Sequence, residues 1–175
     1  VDFAEVERIE VRKGPFDLAS SGNLGGTVNI VTREPDSGAH ASLQATLGSF
    51  DRVAPSLTAS YASARGSLRG GYAARRGDPF EDGNGVPFTD SANYGPAVAG
   101  QRAFDIRTYW AGGSVNLAPG HRLEAQATRQ DGDTQLYPYL QMDSVFDRAD
   151  RIATEYLAQG PFDGGLTGYF EATVP

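Results

Sequence analysis

The chain has 175 residues, 39% of them hydrophobic, which suits one ordinary domain with a core rather than a disordered tail. Its 22 acidic against 15 basic residues give a net charge of -7, and without a basic stripe to displace counterions from phosphates a general nucleic-acid binder is excluded. Cysteine is absent, which removes disulfides, thiolate metal sites and cysteine nucleophiles together.

No run approaches the roughly 18 to 20 apolar residues of a membrane helix, and VDFAEVERIE at the start has neither a basic n-region nor an apolar h-region. That leaves a soluble chain, a fragment, or a transmembrane barrel. Barrel strands alternate apolar and polar residues, so the mean hydropathy of -0.39 is compatible with a membrane location.

The first organised stretch is Val6 to Thr32. Val6, Ile9 and Val11 stand among charged residues in a β-prone run that Gly14-Pro15 ends, and a second β-branched run starts at Thr27. Between them, SSGNLGG carries little side-chain bulk, and Gly22, Gly25 and Gly26 can adopt positive φ or admit a neighbouring backbone. The segment reads as strand, tight break, small-residue loop, strand. Pro35 cannot donate to a central ladder, so the second strand is expected to stop by Glu34, with a domain boundary following in REPDSG.

From Ala41 the alternation is that of strands with one apolar face. Ala41, Leu43, Ala45 and Leu47 oppose Ser42, Gln44 and Thr46. After the link Gly48 to Arg52, Leu57, Ala59 and Tyr61 oppose Ser56, Thr58 and Ser60. A turn at Ser63 to Gly66 leads to Leu68, Gly70, Tyr72 and Ala74, with Arg69 and Arg75 on the polar side. A polar loop runs from Gly77 to about Arg102. Phe104 to Leu117 returns, with an unclear phase near Thr108 that suggests a bulge. After Ala118-Pro119-Gly120, Arg122, Glu124, Gln126 and Thr128 alternate with Leu123, Ala125 and Ala127. A loop from Gln130 to Asp147 follows, then a strand near Arg151 to Ala158, the turn GPFDGG, and a seventh strand through Leu166, Phe170 and Ala172, with Glu171 on its polar side. The tight turns at Ser63, Ala118 and Gly160 fall on one end and the long loops at Gly77 and Gln130 on the other, as in transmembrane barrels.

The order Val6, Glu7, Arg8, Ile9, Glu10, Val11, then Gly14-Pro15, then Leu24-Gly25-Gly26, then Val28, Asn29, Ile30, Val31 and Thr32 resembles the end of the plug domain of TonB-dependent outer-membrane receptors. Glu10, Lys13, Gly14, Pro15, Gly25, Gly26 and Asn29 are its motif positions here. Lys13 stands where the family has Arg and lacks Arg's bidentate fork, so a plug-to-barrel ion pair made there is expected to be looser. The resemblance implies an all-β fold. Residues 1–36 would close a plug, and residues 37–175 would supply about seven antiparallel, up-and-down strands of a partial barrel. The chain would be an internal fragment covering roughly the first third of a barrel of about 22 strands. It implies a Gram-negative outer-membrane location and energised uptake of a scarce metal chelate, such as a ferric siderophore or cobalamin. The implied partners are that ligand, outer-membrane lipid and the TonB complex acting through an N-terminal box not contained in these residues; no resident cofactor is implied.

Among residues that carry chemistry, Gly22 to Gly26 lacks the Lys and the helix of a phosphate loop. His40 and His121 lie far apart beside turn residues, and no nucleophile motif is present, so enzymatic function has no support. Asp78, Glu81, Asp82 and Asn84 offer hard oxygen ligands suited to calcium, although their spacing is not that of an EF-hand and a solvated acidic loop is the favoured reading. Tyr137, Tyr139, Met142 and Asp143, with Arg75 and Arg76 at the same end, are candidates for contacting a planar or anionic chelate. Equally, the tyrosines belong to an interfacial aromatic girdle. The alternatives in other classes are a soluble or secreted β-sheet binding domain, for example carbohydrate-binding, and an outer-membrane barrel that does not transport.

Overall fold

The computed structural model describes residues 6–14, 25–90, 98, 100–137, 143–144, 146–159 and 165–174, with 159 and 165–174 described by backbone alone. The described residues form nine strands in two antiparallel sheets, with one 3₁₀ turn at Phe88–Asp90. None of the described helices is long and apolar enough to cross a membrane. The chain divides into two compact units, Val1–Glu34 and Pro35–Pro175.

In the first unit, β1 (Val6–Lys13) pairs with β2 (Gly26–Thr32), and Ile9 faces Ile30 while Val11 faces Val28. These four apolar side chains share one face of the ribbon and are exposed. On the other face Glu10 sits opposite Asn29 and Arg12 opposite Thr27. The ribbon closes where the Gly14 N–H donates to the Gly25 carbonyl at 3.3 Å. Of the three glycines expected to need freedom, Gly26 uses it: its φ is 130°, and a Cβ there would lie 2.2 Å from the Arg12 carbonyl oxygen. Gly25 has open space around it, and Gly22 lies outside the described residues together with the rest of the connecting loop.

The second unit is one sheet in which each strand pairs with its chain neighbours: β3 (Gly38–Gly48), β4 (Arg52–Ser63), β5 (Gly66–Gly77), β6 (Phe104–Ala118), β7 (His121–Gln135), β8 (Asp147–Gln159) and β9 (Gly165–Val174). This is an up-and-down meander. The sheet does not close, since β3 and β9 each pair on one side only among the described residues.

Several bounds move relative to the sequence expectation. β3 starts at Gly38 rather than Ala41, and β4 starts at Arg52 and runs through Pro55. Pro55 still faces Ala45 of β3, but toward β5 the pairing passes from Val53 with Arg76 directly to Ser56 with Ala73. The missing N–H therefore interrupts one ladder and spares the other. β7 continues to Gln135, well beyond Thr128, and β8 begins at Asp147. In this extension apolar alternation gives way to cross-strand ion pairs, such as Arg129 with Asp150 at 2.6 Å and Arg148 with Asp131 at 2.7 Å. The bulge expected near Thr108 is displaced. Thr108 pairs regularly with Ala73 and Gln130, and the register shifts lie at Asp105/Ile106 and Asn116/Ala118.

Toward the middle of the sheet register separates the two faces, while β3 at the edge is exposed on both. Leu43, Leu57, Leu68, Val115 and Ile152 lie on one face and are 79%, 49%, 65%, 42% and 55% exposed. Ala73, Ile106, Thr108, Trp110 and Ala153 lie on the other and are buried. A flat single layer would expose both faces alike, so this asymmetry fits a sheet curled about its polar face.

Candidate functional site

The connections Ser49–Asp51, 78–103 and 136–146 share one end of the meander, and 64–65, 119–120 and 160–164 share the other. At the long-loop end the backbone is tied together. The Asp78 N–H donates to the Phe50 carbonyl at 2.8 Å, Ala103 N–H to Gly77 O at 2.9 Å, and Leu136 N–H to Ala103 O at 2.8 Å. Within the first long loop Glu81 bridges Pro87, and the rings of Phe80 and Phe88 pack 4.7 Å apart. The turn inside this hairpin hangs on one carboxylate. Asp82 Oδ1 accepts from the Asn84 N–H at 2.8 Å and the Val86 N–H at 3.0 Å. Those two donations, Val86's the larger, hold the Asp82 carboxyl below the usual carboxylate range.

These ties border an open cavity of about 490 Å³ walled by Phe50, Phe80, Phe88, Phe104 and Leu136, with Arg52 and Asp78 among its polar lining. Its walls follow from local sequence. Phe104 lies across Gly77, where a Cβ would come within 2.8 Å of the ring. Phe50 occupies the first centre of a tight turn in which φ is 58° at Phe50 and 49° at Asp51, closed by Arg52 N–H to Ser49 O at 3.4 Å. This is a primed hairpin turn, a place that normally selects Asn-Gly. The stem of Arg52 runs along Gly48, whose added Cβ would meet three of its carbons at 3.4–3.7 Å. Asp78 lies 3.8 Å from the Arg102 guanidinium, whereas Arg52 makes no ion pair among the described residues.

Of the residues singled out in the sequence, Asp78 lines this cavity and the others fall elsewhere. Arg75 and Arg76 are adjacent on β5 and so point to opposite faces, Arg75 opposite Ile106 and Arg76 opposite Asp105. One ligand on one side of the sheet cannot meet both. Tyr137 and Asp143 are brought together, since Asp143 accepts the Tyr137 N–H at 3.1 Å, and the Tyr137 hydroxyl accepts from Gln135. Tyr139, Met142 and Pro15 lie outside the described residues. Asp78, Glu81, Asp82 and Asn84 do not converge, and among the described residues no group of three His, Cys, Asp or Glu side chains can hold a metal ion. In the first unit Glu10 accepts from Arg8 Nε at 2.8 Å and Asn29 Nδ2 at 3.2 Å, while Lys13 faces Gly26 beside Gly14. Each histidine is held locally, His40 against Ser37 O at 3.0 Å and His121 against the Tyr156 hydroxyl at 2.7 Å. On the polar face Arg122 pairs with Glu124 at 2.6 Å, and Arg69 reaches Gln126 at 3.5 Å.

The cavity phenylalanines escaped the sequence reading, because they sit in loops or at strand ends where no period marks them. The one available signal was a bulky Phe50 in a three-residue link.

The exposed apolar face carries aromatic and charged side chains at its margins. On β5 and β6, toward the long loops, Tyr72 and Tyr109 pack with ring centroids 5.0 Å apart, and beyond them lie Arg107 with Asp105 and Asp133, and Arg148 with Asp131, while on β3 and β4 the apolar row continues to Leu47 and Val53. Toward the short turns lie Tyr61, Leu117, and Tyr156 beside His121.

Two curated proteins are similar to part of this chain. Both are the metal-pseudopaline receptor CntO of Pseudomonas aeruginosa, from strains UCBPP-PA14 and PAO1. Each is 46% identical over 57 residues, 32% of this chain and 8% of the receptor. The matched part thus spans under a tenth of the relatives' length. No family model matches the chain, and no solved structure does.

Proposed function

We propose that this chain is part of a TonB-dependent outer-membrane receptor that takes up a metal chelate, with residues 1–36 ending its plug and residues 37–175 beginning its barrel. The observation that carries the reading is the apolar face of β3 to β8, on which Leu43, Leu57, Leu68, Val115 and Ile152 are exposed, with aromatic and charged side chains at its margins. On β6 the apolar rows run from Tyr109 to Leu117, eight residue steps of about 3.4 Å or roughly 27 Å along the strand. At the usual barrel tilt of about 40° that is a height of roughly 21 Å, close to the ~25 Å apolar band of outer-membrane barrels. The similarity to a metal-pseudopaline receptor supports the receptor class and a metal chelate as cargo.

In this reading the apolar face meets lipid, and the polar face with Arg69, Arg122 and Glu124 lines the lumen. The two open edges pair with further strands of the same barrel, because unpaired backbone groups in a bilayer cost several kcal/mol each. Ligand enters from the long-loop end. The TonB complex then pulls on the plug, and β1 and β2 belong to what is held or rearranged. A soluble β-domain is disfavoured by the apolar face, and a plain barrel has no use for the β1–β2 segment.

These 175 residues hold no cysteine, so once any cysteines elsewhere in the receptor are replaced, labelling reads only the introduced positions. Single cysteines at 123 to 128, placed in the receptor as the cell makes it, should label alternately. A water-soluble maleimide should reach 124, 126 and 128 after lumen access is opened, and a lipid-phase reagent should reach 123, 125 and 127. Equal labelling by the soluble reagent at all six, in a soluble fraction, would overturn the proposal.

A further inference from the structure

We infer that the cavity behind the β3–β4 turn binds a small organic anion, with a flat apolar part held among Phe50, Phe80, Phe88 and Phe104 and an anionic group held by Arg52. The volume of about 490 Å³ and a mostly apolar lining that includes four phenylalanines suit a small-molecule site, in which a few polar groups set orientation. The sign of charge follows from Arg52, which makes no ion pair among the described residues, whereas Asp78 lies 3.8 Å from Arg102, a guanidinium that also pairs with Asp105 at 3.1 Å. A planar guanidinium recognises carboxylate through two parallel N–H bonds, better than a point charge would.

A second observation points the same way. A phenylalanine with φ of 58° is strained in a turn where Asn-Gly would be relaxed. The turn tolerates that strain while its first residue supplies a cavity wall, and strained positions gather at ligand-binding sites. The Asp78 N–H donates to the Phe50 carbonyl at 2.8 Å, which braces the backbone from which the ring projects.

This inference deepens the receptor reading, from which it takes only the meaning that the bound anion is cargo or part of cargo. The probes are 4-fluorobenzoate and its neutral analogue 4-fluorobenzamide. They are titrated onto the protein purified from whichever cell fraction holds it and followed by fluorine NMR line broadening against protein-free micelles. Benzoate should bind saturably and more tightly than benzamide. Arg52→Gln should weaken benzoate about ten- to a hundredfold, the loss of one charge-assisted contact, and leave benzamide within about twofold. Arg52→Lys should recover part of the loss. Phe50→Asn should weaken both probes about tenfold while the protein unfolds no earlier, because the turn is relieved. Equal binding of the two probes, an unchanged preference in Arg52→Gln, or unchanged binding in Phe50→Asn would overturn the inference. A protein absent from the outer membrane would sink the receptor reading and leave this titration to give its own answer.

Discussion

The indole of Trp110 lies where a side chain at position 71 would have to begin. A Cβ on Gly71 would sit 2.2 Å from Cζ2 of the ring and 2.7 Å from the Leu57 carbonyl oxygen, with Gly71 and Trp110 directly paired across β5 and β6. Trp110 is buried on the polar face because its neighbour offers no side chain. Overpacking of this kind costs about 1–3 kcal/mol. Gly71→Ala should lower stability by that amount, and since Trp110 is the only tryptophan, its fluorescence should shift to the red as the ring is displaced. An unchanged emission maximum and unfolding midpoint would contradict this account.

The two faces of β7 should tolerate charge very differently. Ala127 stands between Ala111 and Ile152 on the exposed apolar face, and Thr128 stands one residue away on the polar face. If the apolar face meets hydrocarbon, Ala127→Arg should cost about 2–4 kcal/mol and Thr128→Arg far less. The amount of each variant recovered from the outer membrane, with its unfolding midpoint, measures the difference. Equal losses would remove the lipid-facing assignment.

In the β1–β2 ribbon, hydrogen bonds from Arg8 and then Asn29 hold the Glu10 carboxyl below the usual carboxylate range. A depressed folded value means that the contribution is fully present above the unfolded value of about 4.3. It is lost as pH falls through the lower folded value. Protection of the amides around Glu10, measured relative to their intrinsic exchange rates, should fall as pH drops below the ordinary carboxylate value of about 4.3, and Glu10→Gln should flatten that dependence. Because the group is exposed the effect should be small.

Asp82 gives a local counterpart at the long-loop end. Its Oδ1 carries the turn over Asn84 and Val86, so Asp82→Ala should speed proteolytic nicking between 82 and 86 without changing the unfolding midpoint of the sheet. In the unaltered protein the same loosening should appear only as pH falls below the ordinary carboxylate range and through the depressed value of Asp82. Unchanged cleavage in Asp82→Ala would show that backbone pairing of Phe88 to Phe80 suffices.

Alternation along β3, the middle of β4 and β7 is a local property, and the residues by themselves determined which side chains share a face and that β1 and β2 flank a glycine loop. Leu123 and Ala125 declare their side whatever pairs with them. The extent of the ladders was decided by neighbours. β4 crosses Pro55 because β3 still pairs there, and β7 reaches Gln135 because Arg129 and Asp131 find Asp150 and Arg148 on β8. Tertiary structure alone decided the cavity. Its walls come from the β3–β4 turn, both long loops and the start of β6, segments with no shared period, joined by backbone bonds such as Leu136 to Ala103. It also parted Arg75 from Arg76, since adjacent strand residues point to opposite faces however alike their chemistry.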